Sequence, residues 1–204
     1  AGLKATHGLA SIRGIVPLSE MHDHVGPLTR TVEDAALLMS PLVGFDPLDP
    51  VSIAAERSPI PDAISRDVAG LVIGVPRKPF FDTLDPDVEA AVKLALEVLG
   101  RMTRGVADVE LPAVASRAVL GAETYEYHAE LLADPAKRAL YKPITLARIE
   151  GGANVPVNDY VRARRRMIVA RNTIGDLFDG VDVLVTPTFM RPPPTVEASL
   201  GVAP

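Results

Sequence analysis

Two histidines flank an aspartate in the segment His22-Asp23-His24. On a strand, residues i and i+2 point to the same face, so both imidazoles could bind one metal ion. Zinc and iron sites need three or more placed ligands, and a third would have to come from His128 or Glu130. The alternative is that one histidine is packed while Asp23 bonds to backbone or to an arginine. Because two imidazoles alone do not make such a site, we predict no metal.

Serines and a lysine near the start of the sequence raise the question of nucleophilic catalysis. Lys4, Ser11 and Ser19 lie close together along the chain. A serine nucleophile needs a base within hydrogen-bonding distance and donors for the oxyanion. The sequence contains neither a Gly-X-Ser-X-Gly elbow nor a Ser-X-X-Lys motif. We therefore predict that Lys4 is structural or exposed and that these serines are not nucleophiles.

Arginines are concentrated in one segment late in the sequence. Basic clusters of this kind bind RNA in some proteins and form a solvent-exposed helix face in others. The segment has no interleaved aromatic residues that would stack on bases, and the chain carries a net charge of −5. We predict an exposed helix face and no nucleic-acid partner. The arginines are Arg162, Arg164, Arg165, Arg166 and Arg171.

Tyr125 and His128 are three residues apart in a segment, residues 114–133, whose pattern predicts a helix. At this spacing the two side chains share one face of the helix. They could line a binding pocket. They could equally form the edge of the core with their polar atoms satisfied, and the pattern alone leaves both interpretations open.

Composition restricts the class of protein further. The sequence has 204 residues, which suits one domain or a large part of one. It contains no cysteine, which excludes disulfides and cysteine-bound zinc and is compatible with the cytoplasmic location that we predict. No run approaches the roughly 20 apolar residues of a membrane span, so we predict no membrane association. Residues 1–4 and 201–204 resemble cuts through a longer chain.

The pattern of apolar residues and caps predicts the elements that would carry these side chains. Thr31 is a suitable N-cap for a helix with apolar residues at helical spacing, and Gly44 is a suitable C′ residue. Residues 45–68 contain four prolines and predict a long irregular connection.

A β-α-β unit is predicted at about residues 70–112. Residues 71–75 form a short apolar run typical of a buried strand. Asp85 and Pro86 then predict the start of a helix that ends at Gly100, with a second strand at 106–111. A parallel pairing of the two strands is the default for such a unit. The helix presents an apolar stripe of Val88, Ala91, Val92, Ala95 and Leu99.

The last part of the sequence predicts a long helix followed by a strand. The helix is expected to run from Asn158, as N-cap, to about Asp179, and Gly180 is expected to end it. Residues 181–186 predict a strand that Pro187 ends. The expected buried face of the helix consists of Val161, Met167, Ile168, Ile174, Leu177 and Phe178.

Three segments together carry a resemblance to a known family. They are residues 2–8 (GLKATHG), residues 14–18 (GIVPL) and residues 23–36 (DHVGPLTRTVEDAA). The combination resembles the stretch that follows the Ser/Gly-rich signature of the amidase signature family. Looser similarity extends over nearly the whole chain, through residues 71–75, 125–131, 159–160 and 182–188. The sequence departs from the family's usual pattern at Ala5, where proline is common, and at His7, where an aromatic residue is common.

The resemblance implies both a fold and an activity. It implies an α/β fold with a mixed β-sheet core surrounded by helices, of which residues 1–204 would be an incomplete part of a single domain. Family members hydrolyse carboxylic amides, or transfer the ammonia released, with a nucleophilic serine, a bridging serine and a lysine, and without a metal or cofactor. The resemblance places this triad before the region that matches Gly2. It therefore implies that the chain contains no catalytic residue and is inactive in isolation.

The substrate-pocket candidates follow from the clustering of histidine and tyrosine residues. We predict that the segment Met21, His22 and Asp23, and the face that bears Tyr125 and His128, lie closest to a pocket for a small-molecule amide. An alternative role for Asp23 is a structural ion pair with Arg30.

The sequence is compatible with three functions. The leading one is part of an amidase. The second is the A subunit of glutamyl-tRNA(Gln) amidotransferase, which the sequence before Asp23 favours less. The third is a catalytically inert family member that serves as a folded scaffold or binding module. A homodimer is a further possibility.

Overall fold

The computed structural model describes residues 1–54, 60–113 and 116–201, with side chains described up to Ser199. Contacts divide the chain into a first unit, residues 1–66 and 116–164, and a second unit, residues 67–115 and 165–204. No helix in the described ranges is long and apolar enough to cross a bilayer. The helices are α1 Val32–Leu42, α2 Arg77–Phe80, α3 Pro86–Met102, α4 Arg117–Ala133, α5 Pro135–Arg138, α6 Pro143–Gly151, α7 Val157–Thr173 and α8 Val196–Gly201, and the strands are β1 Val72–Pro76, β2 Gly105–Val109 and β3 Val183–Leu184.

Helix α1 begins where its cap predicts. The Thr31 hydroxyl accepts a hydrogen bond from the backbone N–H of Asp34 at 3.1 Å, which satisfies one of the free amides of the first turn. The helix ends at Leu42, and the predicted C′ residue, Gly44, follows the C-cap. Met39 is buried on its inner side.

One buried apolar cluster of the first unit is small and aliphatic. Ala10, Met39 and Val43 are buried together, and Leu9 and Val25 are packed against them. Ala10 and Val43 also form an isolated antiparallel bridge between the N-terminal segment and the end of α1. The predicted irregular connection after α1 contains one 3₁₀ helix, Ile60–Ser65, and its residues 55–59 lie outside the described residues.

A glycine is required where the N-terminal segment approaches the loop after α1. Gly8 has a φ of 82°, and a Cβ there would lie 2.1 Å from the carbonyl oxygen of Val51. The Gly8 carbonyl accepts a hydrogen bond from the Ile53 amide at 2.9 Å. The absence of a side chain therefore permits the backbone pairing that holds this loop.

The second unit contains a parallel three-stranded sheet in the order β2-β1-β3. Its central strand, β1, is almost entirely buried, as the apolar run predicts. Strand β2 pairs with β1 in parallel, with Ile73 opposite Val106, so the predicted strand-helix-strand order is present. The antiparallel pairings in the described residues are isolated bridges rather than strands.

Helix α3 begins as predicted but ends later. The Asp85 carboxylate accepts a hydrogen bond from the Asp87 amide at 3.1 Å, with Pro86 in the first turn. The predicted end at Gly100 is wrong, because the helix continues to Met102. The hydroxyl and the amide of Thr103 both donate to the Leu99 carbonyl, at 2.8 and 3.0 Å, and this closes the helix.

The apolar stripe of α3 is only partly covered. Val88, Val92 and Leu99 are half-buried, whereas Ala91 and Ala95 are exposed. Helical spacing aligns these side chains, but the small sheet does not cover all of them.

Helix α7 and strand β3 differ from their predicted bounds. The helix begins at Val157 rather than after an Asn158 cap, because the Pro156 carbonyl accepts the amides of Asp159 and Tyr160. It ends at Thr173, and a 3₁₀ helix, Ile174–Asp179, continues to Gly180. Strand β3 is limited to Val183–Leu184, since only these residues are in register with β1.

The predicted buried face of α7 is largely wrong. Val161, Ile168 and Phe178 are 56%, 37% and 45% exposed, and Met167 is half-buried. The buried residue of the helix is Ala163. Apolar spacing predicts which side chains share a face, but a neighbouring element decides whether that face is covered.

The first prediction concerns self-association of the chain. Leu28, Leu37 and Leu48 of the first unit are 88%, 60% and 71% exposed, so the surface carries large uncovered apolar side chains. We expect the 204-residue chain to self-associate in sedimentation velocity, and Leu28→Ser with Leu37→Ser to reduce this. Glu33→Ser, an exposed change on α1, serves as the control and should have no effect. A monodisperse wild-type monomer with a cooperative melt would contradict the prediction.

The second prediction uses two adjacent glycines. A Cβ at Gly152 would lie 2.0 Å from the backbone oxygen of Gly121, whereas a Cβ at Gly151 would meet nothing within 4 Å. Gly152→Ala must push the 3₁₀ turn away from α4, so we expect a loss of about 1–3 kcal/mol in the free energy of unfolding. Gly151→Ala is the matched control and should cost far less. Equal urea denaturation curves for the two variants would refute the contact.

The third prediction concerns acid sensitivity at Asp46. The hydrogen bond from Arg13 lowers the pKa of Asp46 from 3.8 to about 2, with further hydrogen bonds from the Leu48 amide and the Ser11 hydroxyl. A carboxylate with a lowered pKa in the folded state stabilises the fold above its unfolded pKa. We expect this contribution to be lost as the pH falls from about 4 to about 2.

The measurement is the free energy of urea unfolding of wild type and Asp46→Asn across that pH range. The difference between the two should shrink as the pH falls, and Arg13→Gln should reproduce part of the effect. A difference that stays constant with pH would show that the Asp46 charge does not stabilise the fold.

Candidate functional site

The first unit contains an open cavity of about 1040 Å³. Its walls come from the loop after the N-terminal segment, the turn around Asp49, helix α4 and the start of α7. Most of the lining is aliphatic, and the polar groups include Glu123 and Tyr160. The lining residues are Ile12, Arg13, Gly14, Ile15, Val16, Pro17, Leu18, Ser19, Glu20, Leu48, Asp49, Pro50, Ala122, Glu123, Glu126, Tyr127, Val155, Val157 and Tyr160.

A tight turn shapes the cavity wall at Leu18 and Ser19. The Asp23 carboxylate accepts hydrogen bonds from the amides of both residues, at 2.8 and 3.1 Å. The Ser19 carbonyl in turn accepts the amides of His22 and Asp23, at 2.9 and 2.8 Å. Asp23 therefore folds the turn by capping backbone donors, as short carboxylates commonly do.

Glu123 joins three parts of the chain. Its Oε2 accepts hydrogen bonds from the Ser19 hydroxyl at 2.5 Å and from the Met21 amide at 3.3 Å. Its Oε1 accepts a hydrogen bond from the Tyr160 hydroxyl of α7 at 3.1 Å. The neighbouring Thr124 hydroxyl lies 2.7 Å from the Leu120 carbonyl of its own helix and 3.0 Å from the Leu18 carbonyl, so its one proton is shared between helix α4 and the turn.

The environment shifts two titrating groups of this network. Burial raises the pKa of the Tyr160 phenol above its ordinary value, and the adjacent charge of Glu123 raises it further. Burial lowers the pKa of His22, and the charges of Glu123 and Asp23 oppose that shift. The cavity wall therefore carries a neutral phenol and favours a neutral imidazole behind it.

The structure brings Met21, His22 and Asp23 together beside the cavity. Met21 donates its amide to Glu123, and Nδ1 of His22 lies 2.7 Å from the Ser19 hydroxyl. In this stretch of the chain, the residues that line the cavity end at Glu20. Met21, His22 and Asp23 therefore support the wall from behind and do not line it.

Tyr125 and His128 lie away from the cavity lining. Nδ1 of His128 is 2.8 Å from the Tyr141 hydroxyl, and the two rings meet edge to face at 5.6 Å. The Cβ of Tyr125 faces Gly152. Helix α4 presents Tyr127 and Glu126 to the cavity instead.

The sequence patterns did not indicate that Glu123 accepts hydrogen bonds from both Ser19 and Tyr160. Glu123 and Tyr127 are four residues apart on α4, so helical spacing indicates that they share a face once either is known to line a cavity. No sequence signal joins Ser19 to Glu123, because 104 residues separate them.

The metal and nucleophile alternatives have little support in the geometry. Nδ1 of His24 lies 2.6 Å from the His22 carbonyl oxygen, and Nδ1 of His22 is bound to Ser19. In the described ranges, no group of three or more histidine, cysteine or acidic residues is placed to hold a metal ion. Ser11 donates to Asp46 at 2.9 Å, and Lys4 is exposed.

The ion pairs test two predictions, an Asp23–Arg30 pair and an exposed arginine face on α7. None of the ion pairs among the described residues joins Asp23 to Arg30, because Asp23 caps the turn instead. The arginines of α7 are exposed, and Arg162 pairs with Asp159 at 3.8 Å. This is the solvent-exposed helix face that the sequence predicts.

Comparison with known proteins identifies the family. The family described as Amidase matches residues 1–202. An amidase of Pseudomonas putida is 34% identical over 197 residues, which are 94% of this chain and 42% of that protein. The A subunit of the glutamyl-tRNA(Gln) amidotransferase of Gloeobacter violaceus is 39% identical over 124 residues, 61% of this chain and 24% of that protein.

Solved structures agree with the sequence relatives. One similar structure is described as a vestigial protein complex that reveals the evolutionary origins of an s-triazine catabolic enzyme. Its chain superposes on this one with a TM-score of 0.86 at 32% identity, and the match covers 96% of this chain and 42% of that one. A crystal structure of an amidase has a TM-score of 0.77 at 27% identity, with the same coverage. These matches confirm the predicted α/β class, which here has many helices and a small parallel sheet.

The chain spans about 42% of the length of the amidase relatives that it matches along most of its sequence. The family resemblance carried by residues 2–36 is confirmed, since the match extends from residue 1 to residue 202. The chain therefore belongs to the Amidase family.

Proposed function

We propose that this chain is part of an amidase, an enzyme that hydrolyses the C–N bond of a small-molecule carboxylic amide. The observation that carries the proposal is the family match along residues 1–202, supported by 34% identity to an amidase over 94% of the chain. The aliphatic cavity of the first unit suits a small organic ligand, because such sites combine apolar walls with a few polar groups.

In this proposal the catalytic triad of two serines and a lysine lies outside the chain. The serines near the N-terminus support this assignment, because Ser11 is bound to Asp46 and Ser19 is 2% exposed and bound to Glu123. A nucleophile must reach the substrate, which the burial of Ser19 and the bond of Ser11 to the Arg13–Asp46 ion pair oppose. The chain alone is then inactive, and it contributes scaffold and part of the pocket within a single domain.

The pocket assignments differ in their support. Met21, His22 and Asp23 support a cavity wall, so they remain the stronger candidates for shaping a pocket. Tyr125 and His128 lie outside this cavity's lining, and their contact with substrate would require a different pocket. We propose that the cavity bounded by Ser19, Glu123 and Tyr160 is part of the substrate pocket. We also propose that the protein is cytoplasmic.

A second candidate function is the A subunit of glutamyl-tRNA(Gln) amidotransferase. Several such subunits are about 40% identical to this chain, but over 54–61% of it rather than 94%. A subunit of this kind should retain its B partner in a pull-down, whereas a stand-alone amidase or its homodimer should not. The third candidate, an inert scaffold, retains the fold without supporting hydrolysis.

The fourth prediction uses a chimera to separate an amidase part from an inert scaffold. The segment of the Pseudomonas putida amidase that matches this chain is replaced by residues 1–202, and ammonia release is measured with simple aryl and aliphatic amides. We expect the chimera to be active and the 204-residue chain alone to be inactive. The relative without any replacement segment is the control and should be inactive as well.

Each outcome bears on a different part of the proposal. Hydrolysis by the chain alone would refute the placement of the triad outside it. A folded chimera without activity would refute the amidase assignment and favour the inert scaffold.

A further inference from the structure

Three histidines lie close together behind the cavity wall. The rings of His7 and His24 meet at 5.2 Å with an interplanar angle of 62°. Nε2 of His7 is 2.9 Å from the carbonyl oxygen of Glu20, and Nδ1 of His24 is 2.6 Å from that of His22. A carbonyl oxygen can only accept, so each of these ring nitrogens must carry a proton. Their geometry therefore fixes Nε2–H on His7 and Nδ1–H on His24.

The tautomer of His22 depends on a longer chain of hydrogen bonds. Its Nδ1 lies 2.7 Å from the Ser19 hydroxyl oxygen, which has one proton to donate. That hydroxyl is also 2.5 Å from Oε2 of Glu123, which as a carboxylate only accepts. Ser19 therefore donates to Glu123 and accepts from His22.

The remaining nitrogen of His22 is then a bare acceptor. Its Nε2 is buried and has no hydrogen-bond partner among the described residues. A proton on this nitrogen would place an unsatisfied donor in the interior, which costs free energy. Burial lowers the pKa of His22 in agreement with this, although Glu123 and Asp23 act in the opposite direction and His7 and His24 in the same one.

We propose that Glu123 is a positioning residue that acts through Ser19 to fix the Nδ1–H tautomer of His22. The same carboxylate binds the Met21 amide and the Tyr160 hydroxyl, so one group sets the ring orientation and the position of the cavity wall. An effect of this wall position on substrate binding would rest on the proposed amidase function. The tautomer itself does not, so it can be tested without activity.

The fifth prediction is read from ring ¹⁵N NMR of the four histidines in mildly alkaline buffer. In wild type, we expect His22 to show a protonated Nδ1 and a bare Nε2, with the signals assigned by loss in His22→Gln. Glu123→Ala frees the Ser19 proton to bind Nδ1, so the proton should move to Nε2. Ser19→Ala removes the hydroxyl that links His22 to Glu123. His22 should then also take the Nε2–H form that free imidazole prefers.

The chain offers matched controls. Tyr160→Phe removes the donor to the other carboxylate oxygen and leaves the relay in place, so His22 should not change. His7 and His24 are held by carbonyl oxygens and should keep their tautomers in every variant. Their unchanged signals also show that a variant has kept the local fold.

The proposal is overturned if wild-type His22 carries its proton on Nε2, as it would if the relay ran in the reverse direction. It is also overturned if His22 keeps Nδ1–H in a folded Glu123→Ala variant, whatever Ser19→Ala shows. The wild-type spectrum decides the first point even if a variant does not fold. A self-associated chain can be measured as a sediment by solid-state NMR, because ring ¹⁵N shifts report the tautomer there too.

Discussion

The half-buried carboxylate of Glu123 is the constraint on which the candidate site depends. It takes hydrogen bonds from a serine, a backbone amide and a tyrosine that come from two distant parts of the chain. Each of these donors would cost free energy if it were removed from water without a partner, so the three contacts favour one arrangement of the wall. Thr124 adds a fourth contact from the next position of the same helix.

Around this network, the first unit is held by modest apolar packing. One buried cluster contains Ala10, Met39 and Val43, and Val119 and Ile149 are also buried, while Leu28 and Leu37 remain largely exposed. Polar and backbone contacts also fix its loops. Asp46 joins the N-terminal segment to the turn at Leu48, and Asp23 binds two backbone amides of the turn at Leu18 and Ser19.

The second unit is organised differently, around a buried central strand. Strand β1 pairs with a neighbour on each side, and Gly74 lies so close to the side chains of Val181 and Leu184 that a Cβ would approach them within 3 Å. The β-α-β order and the caps at Thr31 and Asp85 could be predicted because they depend on a few neighbouring residues. The ends of α3, α7 and β3 could not, because they are set by hydrogen bonds and pairing register beyond those neighbours.

The sequence by itself determined the family, the α/β class, the starts of α1 and α3 and the absence of cysteine chemistry. It also indicated the segment Met21 to Asp23, because histidine and aspartate cluster there. Only the tertiary structure decided that Ser19 and Tyr160 both meet Glu123, and that Tyr125 and His128 lie outside the cavity lining. The physical reason is range: caps and periodicity act over a few residues, whereas a hydrogen bond across 104 residues exists only after the chain has folded.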